Sequence, residues 1–282
     1  MKKINKIDDI RDVLNKKRLE NFSIGFVPTM GFLHEGHLSL IKEARKNNDI
    51  VVVSIFVNPT QFGPDEDLDI YPKDINRDAQ LCEEEGVDYI FNPSVNEMYG
   101  EGYSTYVITE SNITNKLCGA SRAGHFKGVM SVVTKLFNII QPNRAYFGRK
   151  DYQQVAIVKK MVRELNMPVG IVDCPIVREK DGLAMSSRNT YLKPKEREDA
   201  LILNRSLREA KESIRNGEKN KEVILEEILD KINEIHYSEI DYVEILDAKT
   251  LEEIETINRD VVIALAVKIG KPRLIDNIIV EG

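Results

Sequence analysis

The sequence predicts an α/β protein in which a doubly wound parallel sheet is followed by a smaller α+β domain. Three observations carry that expectation. Apolar runs rich in β-branched residues alternate with helical patterns through the first two thirds of the chain, the alternation that builds parallel strands joined by crossover helices. Runs such as Val51–Val57 are apolar on both faces, as strands covered by helices on two sides must be. After Ile176 the order changes to two charged helices and then three strand candidates, which suits a separate α+β unit. The expected division is a Rossmann-like domain over residues 1–175 and a smaller, lid-like domain over residues 176–282.

In order along the chain, strands are expected at Ile24–Pro28, Ile50–Val57, Val87–Phe91, Thr105–Ile108, Ala145–Phe147 and Val169–Asp173. Helical spacing between them puts Leu33, His37, Leu40, Ile41 and Ala44 on one face, then Val129, Val133, Leu136, Phe137 and Ile140, and later Val155, Val158, Met161, Val162 and Leu165. In the second part, helices are expected at about Arg197–Asn216 and Lys221–Ile235, and strands at Tyr242–Leu246, Val261–Ile269 and Leu274–Val280.

Composition narrows the function classes. With 282 residues, 42% of them hydrophobic, the chain can bury a substantial core. Its 40 basic and 46 acidic residues leave a net charge of −6, so no nucleic-acid surface is expected. Cys82, Cys118 and Cys174 are odd in number and far apart, which argues against a disulfide framework or structural zinc. No apolar run approaches the ~18 residues of a membrane span. A cytoplasmic protein acting on small molecules, not on nucleic acid or membrane, is the expectation.

Two segments point to chemistry. Pro28–His37 reads PTMGFLHEGH, after an apolar run and at the start of a helical pattern. A helix start carries unpaired N–H groups and partial positive charge, so it attracts phosphate. Gly31 and Gly36 allow close backbone approach, and His34 and His37 offer imidazole donors. The second segment, MSSRN at Met185–Asn189, carries hydroxyls and a guanidinium suited to a pyrophosphate leaving group. Together they look like a site that cuts ATP between its α and β phosphates. Read alone, the histidine pair also fits a metal site, and Ser-Ser-Arg also fits an ordinary polar turn.

In open α/β sheets ligands lie beyond the carboxyl ends of strands, which singles out three further places. Asn58-Pro59-Thr60-Gln61-Phe62 follows the second strand, and Gly148-Arg149-Lys150-Asp151-Tyr152-Gln153-Gln154 follows the fifth. Val177 precedes the MSSRN loop. Several of these side chains keep two readings: Lys150 as a phosphate contact or a solvated lysine, Gln61 and Gln154 as substrate contacts or surface amides, Asp151 as a ligand contact or a helix cap. Arg122, His125 and Lys127 in GHFKGV either add positive charge or open the next helix, and Asp78 is either a magnesium ligand or an ordinary helix residue.

These motifs, with VNPTQFGP, CGASRAGHFKGV, YFGRKDYQQ and IVREKDGLAMSSRN in the same order, give a chain that resembles the pantoate–β-alanine ligases. That family lies in the nucleotidyltransferase superfamily, which includes class I aminoacyl-tRNA synthetases. The resemblance implies a Rossmann-type domain, a partial lid, a homodimer, and ATP with magnesium (Mg2+). It implies ATP binding by Met30, Gly31, Phe32, Leu33, His34, Glu35, Gly36 and His37, by Gly148, Arg149, Lys150 and Asp151, and by Val177, Met185, Ser186, Ser187 and Arg188. His37 takes the proton-donor position. His34, Lys150 and Arg188 are expected to share the work on the phosphates. Gln61 and Gln154 match pantoate contacts and Gln61 matches a position beside the β-alanine site, while Pro28 and Met30 are expected to supply apolar contact for the methyl groups of pantoate. Asp78 falls next to the position where the family commonly has an acidic residue, and is the candidate metal ligand. The implied reaction is attack of pantoate on the α-phosphorus, then attack of β-alanine on the adenylate. The residues alone also allow a nucleotidyltransferase that stops at AMP or CMP transfer, or a non-catalytic nucleotide-binding protein.

Overall fold

The computed structural model describes residues 1–64 and 66–281, and they divide into two compact units. The first comprises Met1–Glu110, Arg122–Arg149 and Ile157–Pro175. Its strands are β1 (Lys2–Ile4), β2 (Ile24–Thr29), β3 (Ile50–Ile55), β4 (Tyr89–Phe91), β5 (Arg144–Gly148) and β6 (Gly170–Cys174). They form a six-stranded sheet in the order β1-β4-β3-β2-β5-β6, with every pairing parallel. The main helices around it are α1 (Ile7–Leu19), α2 (Glu35–Asn47), α3 (Ile75–Glu84), α4 (His125–Ile140) and α5 (Tyr152–Glu164), the last shared between the two units.

The central strands form where the sequence is most uniformly apolar. β2 and β3 pair in register from Ile24 opposite Ile50 to Thr29 opposite Ile55, and Phe26, Val27, Val51, Val52 and Val53 have no exposed surface. The core on one face joins Val27, Leu33, Ile41, Val53 and Ile90, each such aliphatic side chain being worth ~1.5–3 kcal/mol when fully buried. From β2 the chain builds outward through β3 and β4, then returns to add β5 and β6 on the other side of β2. The reversal lies between β2 and β5, and a crevice beyond the carboxyl ends of strands at such a point is where ligands bind.

One strand was not foreseen and one local expectation is corrected. β1, with only three residues and two lysines, carries no visible strand pattern, yet it pairs with β4 from Lys2 opposite Tyr89 to Ile4 opposite Phe91. Thr105–Ile108, expected as a strand, belongs to neither sheet. The N–H of Val107 donates instead to the Ser131 hydroxyl (2.9 Å), and the Tyr106 ring meets Tyr103 edge-on beneath the Lys127 ammonium. β-branched composition reports fitness for a pleated surface, not the presence of a neighbouring strand.

The second unit comprises Ser111–Ser121, Lys150–Ala156 and Ile176–Gly282. Its antiparallel sheet runs β7 (Ser238–Asp247), β8 (Val261–Ile269) and β9 (Arg273–Val280), with an irregularity in β7 between Ile240 and Tyr242. Helices α6 (Leu201–Arg215) and α7 (Lys221–Asn233) share its core through Leu203, Leu207, Ile224, Ile228, Ile263 and Leu265. The two short segments that the sequence places in the first domain group here for reasons of hydrogen bonding. Gln153 Nε2 donates to the carbonyls of Ile113 (2.8 Å) and Lys116 (2.6 Å), Tyr152 donates to Ala248, and Asn277 donates to Lys150 (2.9 Å). Hydrophobic periodicity cannot register such side chain to backbone ties.

One close approach positions the site. In the first unit, α4 lies so near the short 3₁₀ turn Pro59–Gln61 that a Cβ on Gly128 would stand 2.2 Å from the Thr60 carbonyl oxygen and 2.6 Å from the Gln61 Cα. These are backbone atoms, which cannot swing away. Gly128→Ala is therefore expected to cost about 1–3 kcal/mol, as overpacking does, and to lower the thermal midpoint. An unchanged midpoint would show that α4 can move off the turn without penalty.

Candidate active site

Beyond the carboxyl end of β2 the chain turns sharply into α2. Gly31 (φ +87°) and Phe32 (φ +51°) both adopt the left-handed conformation. A Cβ on Gly31 would press on Ile55 Cγ2 (2.9 Å) and Asp78 Oδ2 (3.0 Å), so glycine is required there for space as well as for φ. The loop is fastened from α3. Asp78, only 1% exposed, accepts the Phe32 N–H on Oδ2 (2.8 Å) and the Leu33 N–H on Oδ1 (2.7 Å). Burial pushes its carboxyl above the usual range, against the pull of those two N–H groups. Arg77 adds a bond to the Leu33 carbonyl (2.9 Å) and lies over the Phe32 ring.

His34 and His37 are then set by the helix start itself. His34 is the N-cap residue of α2, and its Nδ1 accepts the Gly36 N–H (3.1 Å). His37 Nδ1 in turn accepts the His34 N–H (3.3 Å), a reciprocal capping arrangement. A backbone N–H can only donate, so both Nδ1 atoms carry a lone pair, and each neutral ring holds its proton on Nε2. The two partly exposed rings stand 4.1 Å apart, tilted by 33°. Two Nε2–H donors at a helix N-terminus suit phosphate oxygens.

Gln61 lies at the end of the 3₁₀ turn that follows β3. Its Nε2 donates to Met30 Sδ (3.2 Å), so the structure brings the loop after β2 and the turn after β3 into contact. The turn is held from behind. Asn58 Nδ2 donates to Gln61 Oε1 (3.1 Å), and the Gln61 carbonyl contacts His125 Nδ1 at 2.8 Å. His125 Nε2 faces Arg122 Nη1 at 2.9 Å. Arginine has no acceptor, so Nε2 accepts and Nδ1–H is the group that donates to Gln61. Arg122 is spent on this contact and on a two-pronged pair with Glu66 (2.7 and 2.6 Å). His125 opens α4. Arg122 and His125 therefore brace the turn. Asn58, which the sequence marks by its place after a strand and by the Pro that follows it, thus contacts Gln61 directly.

Gly148 and Arg149 stand at the end of β5, where Arg149 pairs with Asp173 (2.5 Å). Within the second unit, Val177 and Met185 face one another across a hairpin, with the Met185 N–H on the Val177 carbonyl (3.0 Å). The hairpin is pinned by Arg178 on buried Asp276 (2.6 and 2.9 Å) and by Asn189 on Glu179 (2.7 Å) and the Ala184 carbonyl (3.0 Å). Ser186 Oγ accepts the Arg188 N–H (3.2 Å) and opens the 3₁₀ turn Ser187–Tyr191. Lys150 and Ser186, 36 positions apart in sequence, line one small pocket with Ala184, Asn189 and Asp276. Lys150, Gln154 and Arg188 are partly exposed, Asp151 is exposed and Ser187 is buried.

The expectation of Asp78 as a magnesium ligand meets a different arrangement, since both of its oxygens already accept backbone N–H groups. Among the described residues no group of three His, Cys, Asp or Glu side chains is placed to hold a metal ion. The residues present do not make a protein cage for magnesium.

The six-stranded parallel sheet, with two imidazoles at the helix start after β2, defines an α/β protein with candidate phosphate donors beyond a strand end. Comparison with known proteins gives the family. The family model described as Pantoate-beta-alanine ligase matches residues 2–279. The chain is 57% identical over 281 residues to a pantothenate synthetase of Acetivibrio thermocellus, covering 100% of both chains. It is similar to the crystal structure of pantothenate synthetase from Thermus thermophilus, with a TM-score of 0.94, 43% identity and 99% of both chains covered. It is also similar to a Francisella tularensis pantoate–β-alanine ligase structure complexed with β,γ-ATP and β-alanine, with a TM-score of 0.83, 38% identity and 99% and 97% of the two chains covered. The chain belongs to the pantoate–β-alanine ligase family. The activity this membership carries is ATP-dependent condensation of pantoate with β-alanine through a pantoyl adenylate, releasing AMP and pyrophosphate.

Replacing Asp78 by Asn leaves one loop N–H facing an NH₂ group. A buried N–H without an acceptor costs ~1–3 kcal/mol, so Asp78→Asn should lower the urea midpoint and weaken ATP binding together. Unchanged stability with a raised magnesium requirement would return Asp78 to the role of metal ligand.

Proposed function

We propose that this chain carries out the ligase reaction through electrostatic alignment by its own N–H donors and cations, without a protein nucleophile. The observation that carries the reading is the reciprocal capping of His34 and His37, which leaves the proton of each ring on Nε2. In the first step the pantoate carboxylate attacks the α-phosphorus and pyrophosphate leaves. In the second, the β-alanine amine attacks the acyl carbon, AMP leaves, and the amine loses a proton.

Residues Met30–His37 and Gly148–Asp151, with Val177 and Met185–Arg188, serve ATP in this reading, and Lys150 and Arg188 stabilise the charge that grows on the phosphates. His37 donates to the phosphates beside His34. Gln61 and Gln154 orient pantoate, and Gln61 stands beside the site for β-alanine. Magnesium belongs to the same reading as a companion of ATP that would offset phosphate charge; the chain's own part rests on its donors and cations. The homodimer implied by the family resemblance belongs to the same reading. So does a cytoplasmic setting, supported by three free and buried cysteines. No helix among the described residues is long and apolar enough to cross a membrane.

The direct test is pyrophosphate exchange into ATP with pantoate present and β-alanine omitted, beside mass spectrometry of the products once β-alanine is added. Exchange that needs pantoate alone, followed by pantothenate formation, is expected. Exchange that also requires β-alanine would contradict a separate adenylation step.

Single-turnover adenylation tests the cations. Lys150→Ala and Arg188→Ala are each expected to slow it by about 10²–10³-fold, as loss of a transition-state donor does, with thermal midpoints near wild type because both positions are partly exposed. Normal adenylation with slow amide formation would move them to the second step.

A further inference from the structure

The Asn58 side-chain amide has only one possible orientation. Its Oδ1 accepts from the Thr60 N–H (3.4 Å), a group that can only donate, and its Nδ2 donates to the Gly128 carbonyl (3.3 Å), a group that can only accept. Nδ2 is also the atom that reaches Gln61 Oε1 (3.1 Å). The orientation of the Gln61 amide follows: its oxygen is turned to Asn58, and its N–H side is turned to Met30. An amide fixed this way offers a donor, which selects an oxygen acceptor such as a carboxylate or hydroxyl on the small substrate.

The shortest contact to Asn58 comes from a residue 41 positions away. Tyr99 OH donates to Asn58 Oδ1 at 2.6 Å and lies 3.3 Å from Thr60 Oγ1, which itself donates to Oδ1 at 3.0 Å. The Tyr99 ring is held independently of its hydroxyl, edge-on to Tyr103 at 4.8 Å and tilted against Phe56 at 6.1 Å. Burial pushes the phenol up to about 12, so the hydroxyl keeps its proton, and its ability to donate, through the neutral range.

We propose that Tyr99 is a positioning residue for pantoate, whose hydroxyl holds Asn58 and through it keeps the N–H side of Gln61 available as a donor. This rests on the reading that Gln61 contacts pantoate. Tyr99 itself touches no reacting atom in the proposal; its effect passes through two amides.

The test is a double-mutant cycle read in the apparent KM for pantoate and for ATP, with thermal midpoints alongside. Tyr99→Phe removes one hydroxyl and keeps the ring. It should raise the pantoate KM about three- to tenfold, the range for one neutral hydrogen bond, and leave the ATP KM and the midpoint near wild type. Tyr103→Phe, which removes a hydroxyl from the neighbouring ring, should change neither KM. In a Gln61→Ala background, adding Tyr99→Phe should raise the pantoate KM by less than about twofold, because residues that act through one contact are not additive. If the two effects multiply, if Tyr99→Phe leaves the pantoate KM unchanged while Gln61→Ala raises it, or if Tyr99→Phe fails to fold, the positioning role is overturned. If Gln61→Ala itself leaves the pantoate KM unchanged, the failure belongs to the assignment of Gln61, and the role of Tyr99 falls with it.

Discussion

The geometry after β2 depends on one buried carboxylate. A loop with two successive left-handed residues leaves its N–H groups pointing inward, and an unpaired N–H there costs ~1–3 kcal/mol. Asp78 takes the N–H groups of both Phe32 and Leu33, one on each oxygen. That bidentate hold decides where α2 begins. The start of α2 decides which ring atoms of His34 and His37 are consumed by capping. The donor atoms of the candidate site are thus determined two steps away from it, by a side chain on a different helix.

The turn after β3 is built on the same logic with different parts. Acceptors and donors that have only one possible role, the Gly128 carbonyl and the Thr60 N–H, fix the Asn58 amide, and Asn58 fixes Gln61. Arg122, which can only donate, settles the tautomer of His125 and so the bond to the Gln61 carbonyl. In both places groups of fixed polarity remove the ambiguity of groups that could serve either way. Preorganisation of this kind places donors before the substrate arrives, which is where electrostatic catalysis draws its advantage.

Much of the fold was legible because its signal is local. β2, β3 and β8 are compact apolar runs, and α4 and α6 show their buried faces as periodic patterns. β1 was not legible, since three residues with two lysines carry no period. Thr105–Ile108 misled because strand-like composition says nothing about a partner. The helix expected at about Arg197–Asn216 is divided, with Pro194–Asp199 and Leu201–Arg215 as separate helices, an interruption that no Gly or Pro announces. The site was legible as clusters of polar residues after strands, and not as a network. Asp78 lies 46 positions from Phe32, and Tyr99 lies 41 from Asn58, separations over which only the folded chain brings partners together. Arg122 and Asp78 were read by charge, whereas their work is hydrogen bonding to fixed neighbours.

Helix capping turns His34 and His37 into Nε2–H donors before any ligand binds. Long-range ¹H–¹⁵N correlation spectra of the ligand-free protein at neutral pH, with His34→Gln and His37→Gln variants for assignment, read the tautomer of each ring directly. Neutral rings protonated on Nε2 are expected at both positions. A proton on Nδ1 of either ring would contradict this, because that ring could not accept the backbone N–H on which the capping depends.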